Sequence, residues 1–96
     1  MSGGGAPDAG PVDVVIANKR GLHARASAKF VTIASSFDAE VTVSHDGNSV
    51  TGTSIMGLMM LAAGIGETIT IAATGPEAEA AVAKLVGLVM DKFGED

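Results

Sequence analysis

A histidine and an arginine lie two residues apart, at His23 and Arg25, where helical apolar spacing begins. The first backbone N–H groups of a helix lack intrahelical partners, and the helix macrodipole is positive at that end. A phosphate on His23 would therefore meet donors already in place, and the Arg25 guanidinium can bind the same oxygens. Imidazole suits this chemistry because it is nucleophilic at neutral pH and its phosphorus–nitrogen bond is labile. The simpler alternative is that His23 only caps the helix.

Ser54 precedes a second, shorter apolar segment with helical spacing, and either Ser54 or Thr53 is expected to cap it. A helix this short cannot bury all of its large apolar residues on one stripe, so some must face solvent. We expect Leu58 and Leu61 in the core. Methionine is common on surfaces that fit several partners, although it also serves as core filler. The remaining large residues are interpreted as a docking face that consists of Ile55, Met56, Met59 and Met60.

The composition limits what else the chain can do. Its 96 residues make one small domain, too small for two lobes around a deep catalytic cleft. There is no cysteine and only two distant histidines, so we expect no disulfide, no metal site and no cofactor. The net charge of −5 disfavours nucleic acid and anionic membrane, although Lys19, Arg20, Arg25 and Lys29 form a basic patch around His23. No stretch is apolar enough to cross a bilayer, and we expect a cytoplasmic monomer.

Hydrophobic periodicity predicts the elements that position these residues. Residues 1–11, rich in glycine and proline, predict a disordered tail before a domain over 12–96. Alternation predicts strands over 12–17, 39–44, 48–52 and 67–73, and spacings of three and four predict helices over 24–37, 55–62 and from 78 onward. Asp46-Gly47 predicts a hairpin turn, and Thr74 to Glu77 predicts a capping box for the last helix. The order β-α-β-β-α-β-α predicts an α+β open-faced β-sandwich, with a four-stranded antiparallel sheet covered on one face by three helices.

Two segments resemble the paired signatures of the HPr family, the histidine-containing phosphocarriers of the phosphoenolpyruvate-dependent phosphotransferase system. The first is Gly21-Leu-His-Ala-Arg25 followed by Phe30, and the second is Ser54-Ile-Met-Gly-Leu-Met59 followed by Leu61-Ala-Ala-Gly64. The resemblance spans residues 12–90. Within it, residues 18–26 are similar to the nitrogen-related branch of the family.

The resemblance implies a carrier and not an enzyme. It implies that Nδ1 of His23 takes a phosphoryl group from an enzyme I-type phosphotransferase and passes it to a histidine on an enzyme IIA-type acceptor, with Arg25 assisting. It also marks Ser54 as the position phosphorylated by an HPr kinase/phosphorylase in some bacteria. The expected partner contacts are Ala24, Arg25, Ser27, Ile55, Met56, Met59 and Met60. The alternative is a regulatory protein-binding module that acts through the helix over 54–60 without phosphoryl transfer.

Overall fold

The fold is known from a computed structural model that describes residues 8–95. Its elements are β1 (Asp8–Val15), α1 (Ala24–Ser35), β2 (Glu40–His45), β3 (Asn48–Thr51), α2 (Ile55–Met60), β4 (Thr68–Thr74) and α3 (Ala78–Met90), followed by a 3-10 turn over Lys92–Gly94. The four strands form one antiparallel sheet in the order β1-β4-β2-β3. The predicted element order and the open-faced sandwich are therefore confirmed.

The first strand begins four residues before the predicted start of the domain. Asp8 already pairs with Thr74 of β4, and the register shifts between Ala9 and Val12, around a glycine–proline pair. The predicted tail is therefore wrong for residues 8–11, because the irregular pairing interrupts the alternation by which a strand is recognised. The rest of that prediction, and the last residue of the predicted domain, lie outside the described residues.

One face of the sheet carries the core. Alternate strand residues point toward the helices, and α3 packs against β1 and β4 while α1 packs against both other helices. The largest completely buried side chains come from every layer of this arrangement: Phe30, Phe93, Ile16, Leu58, Ile69, Ile71, Leu85, Val43 and Val89. The three helices depend on this shared core, because a helix as short as α2 is not stable in isolation.

The opposite face of the sheet carries small polar side chains. Asp13, Thr70, Ser44 and Ser49 lie side by side in one row across all four strands. The Thr70 hydroxyl donates to Asp13 Oδ1 at 2.7 Å, and the hydroxyls of Ser44 and Ser49 share a hydrogen bond of 2.8 Å. An antiparallel sheet can leave such a face to solvent without a second layer.

The capping box predicted for α3 does not form. Thr74 is the last residue of β4, and the carboxylate of Glu77 instead accepts a hydrogen bond from the backbone N–H of Asp38 at 2.7 Å. The Glu77 N–H returns a hydrogen bond of 3.0 Å to the Asp38 carbonyl oxygen. The prediction is wrong because Glu77 joins the start of α3 to the loop after α1, which lies 39 residues away in sequence.

Candidate functional site

His23 is the N-cap residue of α1, with extended backbone angles of φ −72° and ψ 177°. Its carbonyl oxygen accepts the first intrahelical hydrogen bond, from the Ser27 N–H at 2.9 Å. The N–H groups of residues 24–26 precede that bond and lie at the positive end of the helix dipole. Within residues 8–95 the ring makes no capping hydrogen bond to α1. The alternative that the imidazole only caps the helix is therefore wrong.

The loop before His23 is fixed by contacts with the loop after α2. The Leu22 N–H donates to the carbonyl oxygen of Ala63 at 3.1 Å. Gly21 has a φ of +62°, and a Cβ at this position would collide with that same carbonyl oxygen. The close approach and the positive φ both require glycine. The two sequence signatures are thus joined directly, by backbone contacts immediately before the histidine.

A carboxylate that sequence analysis missed lies against the His23 ring. Glu95 Oε2 lies 2.5 Å from Nε2 of His23, and Glu95 Oε1 accepts a hydrogen bond of 3.1 Å from the Asn18 side chain. The side chains of His23 and Glu95 are 15% and 23% exposed. The imidazole is therefore covered on its Nε2 side, and the site is less open than a helix terminus alone suggests.

The pKa of the Glu95 carboxyl is lowered from its usual value of 4.5. The hydrogen bond with His23 makes the largest contribution, and desolvation opposes it. The hydrogen bond from Asn18 and the coulombic effects of His23 and Arg20 lower the pKa further. Glu95 is consequently ionised at neutral pH, and an ionised carboxylate can only accept hydrogen bonds.

A C-terminal strap, defined as residues 92–95, holds Glu95 in this position. Lys92, Phe93 and Gly94 all have positive φ, so the chain leaves the right-handed helical path after α3. The Phe93 side chain is completely buried, and its carbonyl oxygen accepts a hydrogen bond of 2.7 Å from Lys29 Nζ. The available sequence signal was one phenylalanine in an otherwise polar segment beyond the last helix.

The predicted residues at the start of α1 divide into two groups. Ala24 and Arg25 are exposed, as a partner contact requires. The expectation that Ser27 contacts a partner is wrong, because Ser27 is completely buried and its hydroxyl donates to the Leu22 carbonyl oxygen at 3.2 Å. Ser27 lies on the core stripe of α1 with Phe30, three positions later.

Ser54 is the N-cap of α2, and its hydroxyl oxygen accepts a hydrogen bond from the Gly57 N–H at 2.9 Å. Leu58 and Leu61 are buried, as predicted. Met56 and Met60 are 67% and 78% exposed, so they are not core filler. All four residues of the predicted docking face are exposed: Ile55, Met56, Met59 and Met60.

The second histidine, His45, lies outside this site. Its Nδ1 lies 3.1 Å from the Thr68 carbonyl oxygen, and its Nε2 lies 3.4 Å from a carboxylate oxygen of Glu67. Among residues 8–95, no three side chains of the metal-binding types lie close enough to hold an ion. No helix in that same part of the chain has the length and apolar character needed to span a membrane.

Comparison with known proteins places this arrangement in a family. A family model described as the PTS HPr component phosphorylation site matches residues 12–91. The chain belongs to the HPr family. The phosphocarrier protein HPr of Cupriavidus necator is 49% identical to this HPr-family chain over 83 residues, which cover 86% of the chain and 93% of the relative. The phosphocarrier protein NPr of Shewanella violacea is 45% identical over 82 residues, which cover 85% and 90%.

Solved HPr structures share the fold. HPr-C-His from Thermoanaerobacter tengcongensis matches with a TM-score of 0.85 and 40% identity, over 94% of this chain and 98% of that one. An HPr dimer from the same organism matches with a TM-score of 0.72 and 41% identity, over 91% and 100%. The monomeric state expected for this HPr-family chain therefore stays a prediction. The family establishes a phosphocarrier of the phosphotransferase system and not a catalytic enzyme.

Proposed function

We propose that His23 accepts a phosphoryl group from an enzyme I-type phosphotransferase and transfers it to an enzyme IIA-type acceptor in the cytoplasm. The observation that supports this most directly is the position of His23 as the N-cap of α1, with the N–H groups of residues 24–26 beside it. Those groups and the exposed Arg25 can bind the oxygens of a phosphoryl group on the ring.

The proposed transfer places modest demands on the protein. Phosphoryl transfer requires in-line positioning and stabilisation of charge on the transferred oxygens, and it requires little covalent assistance. A helix N-terminus supplies fixed N–H dipoles, and Arg25 supplies a full positive charge. A carrier must also present the same nitrogen to two partners in turn, which favours a site at the surface over an enclosed cleft.

The partner surface that we propose surrounds this site. Ala24 and Arg25 lie at the start of α1, and Lys19 and Arg20 are exposed in the loop before it. The exposed apolar docking face on α2 adds side chains that adapt to different partners. A partner that fits both features has an apolar patch rimmed by carboxylates.

A comparison of the two histidines tests the carrier function. The protein is incubated with phosphoenolpyruvate and an enzyme I-type donor, and its mass is measured before and after acid treatment. We expect the addition of one acid-labile phosphate to the unaltered protein and to His45→Ala, and none to His23→Ala. The His45 variant is a matched control because that imidazole also contacts a carboxylate. Labelling of His23→Ala at the level of His45→Ala would overturn the proposal.

We also propose that Ser54 is a regulatory phosphorylation site for an HPr kinase/phosphorylase. Its hydroxyl lies next to the docking face and is only partly buried. A phosphate adds close to two negative charges there, which would repel a partner surface rimmed by carboxylates. The modification would act on docking, with His23 itself left unchanged.

Incubation with an HPr kinase and ATP tests the regulatory site. We expect an acid-stable phosphate on the unaltered protein, no label on Ser54→Ala, and full labelling of Thr53→Ala, whose hydroxyl precedes the cap by one residue. If Ser54→Ala is labelled as strongly as Thr53→Ala, then Ser54 is not the modified residue. The acid step separates this ester from the phosphate on histidine.

A further inference from the structure

We infer that Glu95, supported by Asn18, is a positioning residue that keeps the proton of His23 on Nε2 and so makes Nδ1 the nitrogen that accepts the phosphoryl group. The inference rests on the proposed function of His23 as a phosphoryl carrier. It assigns a role to two residues outside the paired signatures: Asn18, three residues before the first signature, and Glu95, far beyond the second.

The first step of the argument is the contact between the carboxylate and the ring. Glu95 Oε2 lies 2.5 Å from Nε2 of His23. An ionised carboxylate has no proton to donate, so Nε2 must be the donor. A neutral imidazole carries one N–H group, and its lone pair is then on Nδ1. Within residues 8–95, no protein group forms a hydrogen bond with Nδ1, which leaves that nitrogen available to a partner.

The second step concerns Asn18, which is completely buried beneath the carboxylate. Its Nδ2 donates to the Gly21 carbonyl oxygen at 2.9 Å and to Glu95 Oε1 at 3.1 Å. Both partners are acceptors, so the orientation of the amide is determined by its hydrogen bonds. Its own Oδ1 has no hydrogen-bond partner in the described part of the chain. Burial of an amide oxygen without a hydrogen-bond partner costs free energy of folding. In return, the two hydrogen bonds that Asn18 donates hold the Glu95 carboxylate beside the loop that presents His23.

The third step is the attachment of the strap. Phe93 is completely buried two residues before Glu95, and its carbonyl oxygen is held by Lys29. The carboxylate is thus attached to the core and to α1, as well as to Asn18. A glutamate on a freely moving chain end would spend little time in one geometry, because ordering a long side chain costs conformational entropy.

Phosphoryl transfer to and from His23 requires no protein group other than the imidazole and the Glu95 carboxylate to carry the proton and the charge. The lone pair on Nδ1 forms the new bond to phosphorus, while the bond from phosphorus to the donor breaks and its electron pair stays with the donor. Nε2 retains its proton throughout, so the phosphorylated ring carries a positive charge that the Glu95 carboxylate neutralises. Transfer to the acceptor reverses these changes. An aspartate has the same role toward the histidine of serine hydrolase triads.

Nitrogen NMR of the His23 ring, combined with the rate of phosphorylation, tests the inference. The variants are Glu95→Ala, Glu95→Gln and the control Glu79→Ala, which removes an exposed carboxylate from the first turn of α3. At a pH where the ring is neutral, we expect the Nε2–H tautomer to dominate in the unaltered protein and in the control. Both Glu95 variants should lose that preference and should be phosphorylated about threefold to tenfold more slowly.

The two readouts separate this inference from the proposed function. If the unaltered protein accepts no phosphate from the donor, the carrier function fails, whereas the tautomer measurement still tests the role of Glu95. The inference is overturned if Glu95→Ala keeps the tautomer preference of Glu79→Ala. It is equally overturned if the two variants are phosphorylated at the same rate. A general loss of folding would appear instead as a loss of dispersion throughout the spectrum.

Discussion

Lys29 Nζ donates a hydrogen bond of 2.7 Å to the backbone carbonyl oxygen of Phe93, which lies 64 residues away in sequence. Lys29 belongs to α1, the helix that His23 caps, and Phe93 belongs to the C-terminal strap that carries Glu95. The helix α1 therefore positions both the His23 imidazole and the strap that brings the Glu95 carboxylate to that imidazole. The geometry of the His23–Glu95 pair depends on this attachment as well as on the pair itself.

Removal of the Lys29 ammonium should loosen the strap. We expect Lys29→Met to lower the free energy of unfolding by about 1 kcal/mol and to speed hydrogen exchange at the backbone N–H groups of Gly94 and Glu95. Lys84→Met, on the exposed side of α3, is the matched control. Equal exchange rates in the two variants would show that Lys29 does not hold the strap.

The stability should depend on pH through Glu95. Its pKa is lowered in the folded state, so the ionised carboxylate favours folding. That contribution is fully present above the usual pKa of 4.5 and is lost as the pH falls through the lower folded-state pKa. The difference in unfolding free energy between the unaltered protein and Glu95→Gln should therefore be larger at about pH 5 than at about pH 3. Urea titrations at both pH values measure this difference in unfolding free energy. An equal difference at the two pH values would contradict the contribution assigned to the ionised Glu95 carboxylate.

Alanine substitutions at Gly21 and Gly87 should change the stability of the protein in opposite directions. Gly21→Ala places a Cβ against the Ala63 carbonyl oxygen at a φ of +62°. We expect this substitution to lower the free energy of unfolding by about 2 kcal/mol or more. Gly87 lies inside α3 with open space around it, and Gly87→Ala should raise the free energy of unfolding by about 0.5 to 1 kcal/mol. Thermal unfolding of both variants measures the contrast. A neutral Gly21→Ala would mean that the loop before His23 is less constrained than the contacts indicate.

Two substitutions at Ser54 should separate capping from charge. Ser54→Ala removes the hydrogen bond to the Gly57 N–H and should destabilise the protein by about 1 kcal/mol. Ser54→Asp keeps a capping oxygen and adds a negative charge, so it should retain stability and weaken binding to an enzyme IIA-type acceptor. Chemical denaturation and binding titrations measure the two effects. Tight acceptor binding by Ser54→Asp would count against charge as the regulatory signal.

The docking face and the core should be distinguishable by mutation. Met56→Gln changes a 67% exposed side chain and should alter stability by less than about 0.5 kcal/mol, while it weakens acceptor binding. Leu58 lies two residues later and is completely buried, so Leu58→Ala should lower the free energy of unfolding by about 2 to 5 kcal/mol. If Met56→Gln binds the acceptor as well as the unaltered protein does, the exposed methionines are not the contact surface.

Features that depend on neighbouring residues were predictable from the sequence. Asp46 and Gly47 have φ values of +51° and +83°, which the two central residues of a tight hairpin turn require. The start of α1 after His23 and the cap at Ser54 also follow from local rules. The four-stranded antiparallel sheet was also predicted, although only its hairpin pair, β2 with β3, follows from neighbouring residues.

Features that depend on distant residues were not predictable in this way. Asn18 and Glu95 are 77 residues apart, and no spacing rule connects them. Glu77 matched a local capping pattern but bonds to Asp38 instead. Ser27 was expected among the partner contacts, although the helical period alone turns it inward. For Asn18, Glu95 and Glu77, a tertiary contact decided the role of a residue whose type alone was ambiguous.

The row of small polar side chains across the uncovered sheet face offers a place to attach a reporter. Because the chain contains no cysteine, Ser49→Cys would introduce the sole thiol. Ser49 is exposed on β3 and lies across the sheet from the helical layer, so a fluorophore or a surface tether there would project away from α1 and α2. Association with each partner could then be followed on an immobilised, oriented molecule.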